Sequence, residues 1–149
     1  MMTNASKIPQ LFLRMALGIG FILPVMDRLG WLGAAGAPGV AWGNWSSFVS
    51  YTNTLVPFLN AQLAGVMALI ATIAEMLFGI MLIVGYKIKW AALGSFLLTL
   101  TFALCMGIFL SPRAPFNYSV FTDSAAGLLL ATVPVYQWSI DNYLLAKKR

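Results

Sequence analysis

Four long apolar stretches separated by short polar breaks dominate the pattern along this chain. A helix crossing the hydrocarbon core of a bilayer needs about 20 mostly apolar residues. The stretches that meet this run from about Ile8 to Met26, Leu59 to Tyr86, Trp90 to Leu110 and Phe116 to Trp138. Within them the only charges are Arg14, Glu75 and Asp123, and the third has none. Tyr86, Trp90, Tyr118, Tyr136 and Trp138 fall near the ends, where amphipathic rings favour the headgroup region. The pattern predicts an all-α integral membrane four-helix bundle.

Between the first two stretches, about Leu29 to Phe58, the chain is rich in Gly (Gly30, Gly33, Gly36, Gly39, Gly43) and Trp (Trp31, Trp42, Trp45). Asn44 is a good helix cap, so Asn44 to Leu55 is expected to form a short interfacial helix, lying on the membrane surface as an anchor or folded over the mouth of the bundle. Trp45, Phe48, Thr52 and Leu55 would share one face of it.

Composition agrees: 60% of the 149 residues are hydrophobic and 9% charged, against about 25% charged in soluble domains. One transmembrane domain spanning 1–149 accounts for the whole chain. The net charge of +5 comes from dispersed Lys and Arg, which argues against nucleic-acid binding and instead reports orientation. An N-terminus inside gathers Lys7, Lys87, Lys89, Lys147, Lys148 and Arg149 on the cytoplasmic side and leaves only Arg28 and Arg113 opposite. Both ends are therefore expected in the cytoplasm. Lys7 precedes an apolar run, as in a signal peptide, but no small-x-small cleavage site follows and Pro24 leads into Asp27-Arg28. The first stretch is read as a retained helix. With no His and Cys105 alone, an internal disulfide, a CxxC motif, a Cys/His zinc cluster and His-ligated haem are excluded. No metal site is expected.

A carboxylate at mid-membrane normally faces the protein interior with a partner. Steps of three and four from Glu75 reach Ala64, Ala68, Ala71, Thr72 and Gly79, small residues that let another helix approach closely. Arg14 lies roughly 9 Å inside one end of its helix and Glu75 roughly 16 Å inside the same end of an antiparallel one, at 1.5 Å per residue. Arginine's reach covers that offset, so Arg14–Glu75 is the expected buried pair, structural or functional. The alternative has Arg14 reaching back to the cytoplasmic interface and Glu75 protonated. Asp123 precedes Gly127 and Ala131 at four-residue steps. With Asp27, Arg28 and Arg113 it forms a candidate cluster at the outer mouth, or these are ordinary interfacial residues. Thr72 and Thr99 are candidate pocket-lining hydroxyls.

Helix one reads LFLRMALGIGFILPVMDRLGW, the loop GVAWGNWSSFVSYTNTLVPFL, helix two IAEMLFGIMLIVGYKIKWAA, and helix four opens APFNYSVFTDSAAGLLLA. Over about residues 8–133 this resembles the DoxX family of small four-span bacterial membrane proteins. The resemblance rests on Arg14, Leu17 and Gly18, on the E-x-x-x-G of Glu75 and Gly79, and on the charge-poor third helix. It implies a plasma (inner) membrane location and a quinone-linked or redox-associated membrane subunit, with Arg14 and Glu75 at the family's charged positions. Relatives include a subunit of archaeal thiosulfate:quinone oxidoreductase and mycobacterial proteins associated with complexes handling thiol and oxidative stress.

A quinone headgroup needs hydrogen-bonding groups in an apolar cleft, which Arg14, Glu75, Thr72 and Thr99 can supply. Electrons would come from a redox partner protein or a bound organic cofactor. The alternative is a noncatalytic accessory or assembly subunit, or a homo-oligomer. A lipid-binding or transport bundle is a third reading, disfavoured by the small number of spans. Whether the chain is an enzyme is left open by its residues.

Overall fold

The computed structural model describes residues 7–147. These are helical with no strand: α1 (Lys7–Arg28), α2 (Trp45–Leu55), α3 (Ala61–Val84), α4 (Ile88–Cys105, running on as a π-helical turn through Met106–Leu110), α5 (Ala114–Asn117), α6 (Val120–Ala131) and α7 (Ile140–Lys147). Three helices are long and apolar enough to cross a membrane: α1, α3 and α4 with its π-helical extension. Large apolar side chains such as Leu69, Ile73 and Leu77 are exposed along them, as expected where the solvent is lipid.

Close backbone approach sets how these helices pair. Gly18 of α1 and Gly79 of α3 face each other: a Cβ at either would lie 3.1 Å from the other's carbonyl oxygen. Small residues permit such contacts in membranes, where packing rather than water exclusion holds helices together. Along α3 the buried residues are Ala64, Ala68, Ala71, Thr72, Glu75, Gly79 and Leu82, so the face that carries Glu75 is the packed one. Gly127 of α6 meets the α4 backbone in the same way, its Cβ direction pointing 3.0 Å from Phe96 N and 3.1 Å from Ala92 O. Both pairs are antiparallel. With α3 against α4 and α6 against α1, the four helices close a ring.

The fourth apolar stretch departs from expectation. It is not one helix over 116–138 but α5, a turn, α6 and an irregular segment. At about 1.5 Å per residue α6 is roughly 18 Å long, too short for a hydrocarbon core of about 30 Å. Ser119 takes a left-handed φ of +56° where the chain turns into α6. At the other end Pro134 disfavours helix at Val133 and cannot donate a helical hydrogen bond, and α6 stops with Thr132 as its cap. Apolar content alone does not reveal either break.

The predicted short helix is present. Asn44 caps α2, accepting from the Ser47 N–H at 2.9 Å, and Phe48, Thr52 and Leu55 are buried. Lys7, Lys87, Lys89 and Lys147 gather at the end of the ring where α1 begins, called here the basic end. The Trp-rich segment and α2 lie at the opposite, loop end. Lys148 and Arg149 lie outside the described residues.

Candidate functional site

Each end of the ring is tied by one carboxylate. At the loop end Asp27 accepts from the backbone N–H groups of Ala41 (2.8 Å), Trp42 (3.3 Å) and Gly43 (2.9 Å). It folds the Gly-rich segment back over the end of α1. Gly43 is held at φ +66°, and a Cβ there would collide with the backbone of Ala35. At the basic end Asp141 accepts from Lys87 N at 2.7 Å and Ile88 N at 2.8 Å. It satisfies two of the orphan donors that open α4.

Arg14 belongs to this basic end, and the expected Arg14–Glu75 pair does not form. Its Nη2 donates to Trp138 O at 2.9 Å and its Nη1 to Gln137 O at 3.5 Å, and Gln10 Nε2 also donates to Gln137 O, at 3.1 Å. The reason lies in register and in the broken fourth stretch. The Gly18–Gly79 contact sets Arg14 beside Gly85, where a Cβ would be 3.2 Å from its Nη1. Carbonyls released from helix at depth need donors from protein, and Arg14 and Gln10 supply them.

Glu75 pairs instead with Arg28, Oε2 to Nη2 at 2.7 Å, both side chains almost wholly buried. The contact is ionic without the alignment of a directed hydrogen bond at Oε2. Arg28 folds back along its own helix so that Nε donates to Pro24 O at 3.1 Å and Nη1 to Thr72 Oγ1 at 2.8 Å. The Thr72 hydroxyl in turn donates to Ala68 O at 2.7 Å. The guanidinium lies 3.7 Å from the centroid of the Phe48 ring and 5.3 Å from that of Trp42, a cation–π arrangement strengthened by desolvation. Arg28 is thus 1% exposed, although it ends its helix. The depth follows from helix lengths. With Arg28 level with Thr72, α3 continues roughly 16 Å beyond it to Ala61, and α2 packs on that overhang. Burial raises the Tyr51 phenol above the usual tyrosine range, with Tyr118 adding to the shift, so it remains a hydrogen-bond donor.

The ion pair forms part of the wall of a cavity of about 1000 Å³. Leu13, Ala16, Leu17, Gly20, Leu98 and Ala126 give it apolar sides. Trp42, Phe48, Tyr51 and Thr52 line it from the loop end, and Thr99, Cys105 and Asp123 from α4 and α6. No protein-family model, curated protein or solved structure matches this chain.

The outer-mouth cluster does not assemble. Asp27 holds the loop, Arg28 turns inward to Glu75, Arg113 is exposed between α4 and α5, and Asp123 faces the cavity from α6. Four residues adjacent in number or level are separated because α1 ends deep and the loop covers it. Of the two candidate hydroxyls, Thr99 lines the cavity while donating to Ser95 O at 2.8 Å, and Thr72 serves Arg28. Sequence reasoning missed the aromatic cover of Trp42, Phe48 and Tyr51, and also the opening at Ala16 and Gly20. The available signal was Phe48 on the shared face of α2 with Trp45, Thr52 and Leu55.

Proposed function

We propose that the chain is a DoxX-like protein of the bacterial inner membrane that binds an isoprenoid quinone, or a closely similar amphipathic aromatic, beside Arg28 and Glu75. In this reading it serves as the membrane subunit of a redox complex. The observation that carries it is the cavity: large, mostly apolar, and polar at a buried ion pair and a few side chains. Binding sites for small amphipathic molecules have this make-up, about 300–1,000 Å³ with few polar groups to fix orientation. The small side chains of Ala16 and Gly20 leave room for a tail, and the aromatic rings of the loop end suit a planar headgroup. The redox centre itself belongs to a partner protein.

In the same proposal α5, α6 and the irregular segment after it make a fourth crossing, in one domain with both termini in the cytoplasm. Two features support this. The segment before α7 is tied to α1 through Gln10 and Arg14, and the first turn of α7 to the α3–α4 turn through Asp141, so these lie at one end. The described lysines gather there too, as the positive-inside rule requires of a cytoplasmic face.

The test is binding of a decyl-substituted benzoquinone to the purified full chain in mild detergent, followed by quenching of tryptophan fluorescence. Saturable quenching competed by a second quinone supports the reading. Quenching that rises linearly with quinone, as simple partition into micelles would give, sinks it.

A further inference from the structure

The cavity beside Arg28 and Glu75 is walled by all four helices of the ring, and the walls are not equally tight. At the loop end the rings of Trp42, Phe48 and Tyr51 pack on one another, with centroids 5.1 Å apart for Trp42 and Phe48 and 5.9 Å for Trp42 and Tyr51. Asp27 fastens the backbone N–H of Trp42, and Phe48, Thr52 and Leu55 of α2 are buried. That end is shut. Between α3 and α4 the Phe78 ring fills the notch left by Gly94. Toward the loop end the larger Met67, Ile70 and Phe102 border the cavity on that side.

Between α1 and α6 the border is made of small side chains. Ala16 and Gly20 of α1 and Thr122 and Ala126 of α6 line the cavity. Ala16, Gly20 and Thr122 are exposed, and a Cβ at Gly20 meets nothing within 4 Å. Toward the basic end the two helices close up, with Leu17 and Phe21 in one apolar cluster with Leu130 and Ala131. The gap is therefore a window between packed helices. Its height follows from α1. Gly20 and Ala16 come before Arg28 by roughly 12 and 18 Å at 1.5 Å per residue, and Gly20 lies roughly 20 Å beyond Lys7. In a hydrocarbon core of about 30 Å, acyl chains lie outside such a window.

We propose that the cavity opens sideways into the bilayer between α1 and α6, takes its ligand directly from the hydrocarbon phase, and encloses only the headgroup and the first part of the tail. The inference rests on the quinone reading above and names the ligand class as long-tailed, membrane-resident quinones. Polar groups favour this orientation. The Trp42 indole N–H and the Tyr51 and Tyr118 hydroxyls line the cavity without a hydrogen bond to a described residue, and headgroup carbonyls can accept from them. The tail then runs along α1 to Gly20 and out. Pockets of this size enclose a ligand of drug size, and a polyprenyl tail of many units exceeds that. A tail left among lipid chains also keeps the freedom that a closed pocket would take from it.

The experiment uses the full chain in lipid nanodiscs and two fully substituted benzoquinones that share one headgroup, one with a decyl and one with a decaprenyl tail. Tryptophan quenching reads binding, with concentrations expressed as mole fraction in the bilayer. The two affinities are expected to agree within about fivefold. A larger loss for the decaprenyl quinone means that the tail has no exit; it overturns the proposal and leaves the quinone reading standing. Saturable binding of neither removes both. A decyl quinone carrying a diazirine on its tail then locates the window. Photoadducts at Ala16, Gly20, Thr122 or Ala126, suppressed by excess unlabelled decyl quinone, support the proposal. Suppressible adducts at Met67, Ile70 or Phe102 place the opening between α3 and α4 and overturn it. Adducts that excess quinone leaves unchanged remove both readings.

Discussion

Replacing Arg28 by Met in the buried pair isolates what holds the centre of this protein together. At 2.7 Å and an effective dielectric constant of about 20, the attraction between the charges is about 6 kcal/mol. Taking two ions out of water costs several kcal/mol each, so the pair's net contribution is near zero. Its rupture is not. Arg28→Met leaves Glu75 buried and uncompensated, and Glu75→Leu leaves Arg28 with only Pro24 O, Thr72 and the Phe48 and Trp42 rings. Each single change is expected to destabilise by about 3–5 kcal/mol. The double variant is expected to be much less damaging than the sum, so the cycle gives a coupling of about 2 kcal/mol or more. The assay is unfolding in mixed micelles by SDS titration, followed by circular dichroism. A parallel cycle with Arg14→Met serves as the control. Arg14 holds Gln137 O and Trp138 O, so its coupling to Glu75 should stay within about 0.5 kcal/mol. An Arg14–Glu75 coupling larger than the Arg28–Glu75 one would refute the assignment of partners.

Three further perturbations address the cavity, the helix contacts and the loop. A Cβ at Gly20 meets nothing within 4 Å, so Gly20→Phe should fill the cavity without loss of stability. Quinone affinity is expected to fall at least about tenfold, or 1.4 kcal/mol; unchanged binding would place the ligand elsewhere. Gly127→Ala sets a methyl group 3.0 Å from Phe96 N and 3.1 Å from Ala92 O, backbone atoms that cannot rotate aside. A loss of about 1–3 kcal/mol is expected in the same SDS titration. Asp27→Ala frees three backbone donors of the Gly-rich segment at once. Chymotrypsin should then cut at Trp31 or Trp42 well before it cuts wild type, and equal cleavage rates would show that the carboxylate does not hold the loop. Trypsin is unsuitable because no Lys or Arg lies between Arg28 and Lys87.

The broad design of the protein follows from sequence. Apolar runs of span length define α1, α3 and α4 within about two residues, because backbone at membrane depth must close its own hydrogen bonds and a helix does so locally. Asn44 announces α2 through its cap, and the three- and four-residue spacing around Glu75 marks the packed face of α3. These are local properties, and the residues that decide them are near neighbours in the chain.

Tertiary structure alone decided which charge meets which. Arg14 was the nearer partner for Glu75 only if helix ends were level, and they are not. The Gly18–Gly79 contact fixes the register of α1 on α3, so that Arg28 stops beside Thr72 while α3 continues past it. The break at Pro134 releases the carbonyls of Gln137 and Trp138, which take Arg14's hydrogen bonds and leave Glu75 to Arg28. A shift of one helical turn, about 5.4 Å, exchanges one ion pair for another while leaving every hydrophobic pattern as it was. Periodicity determines which face of a helix is buried; only the close approach of two backbones determines at what height.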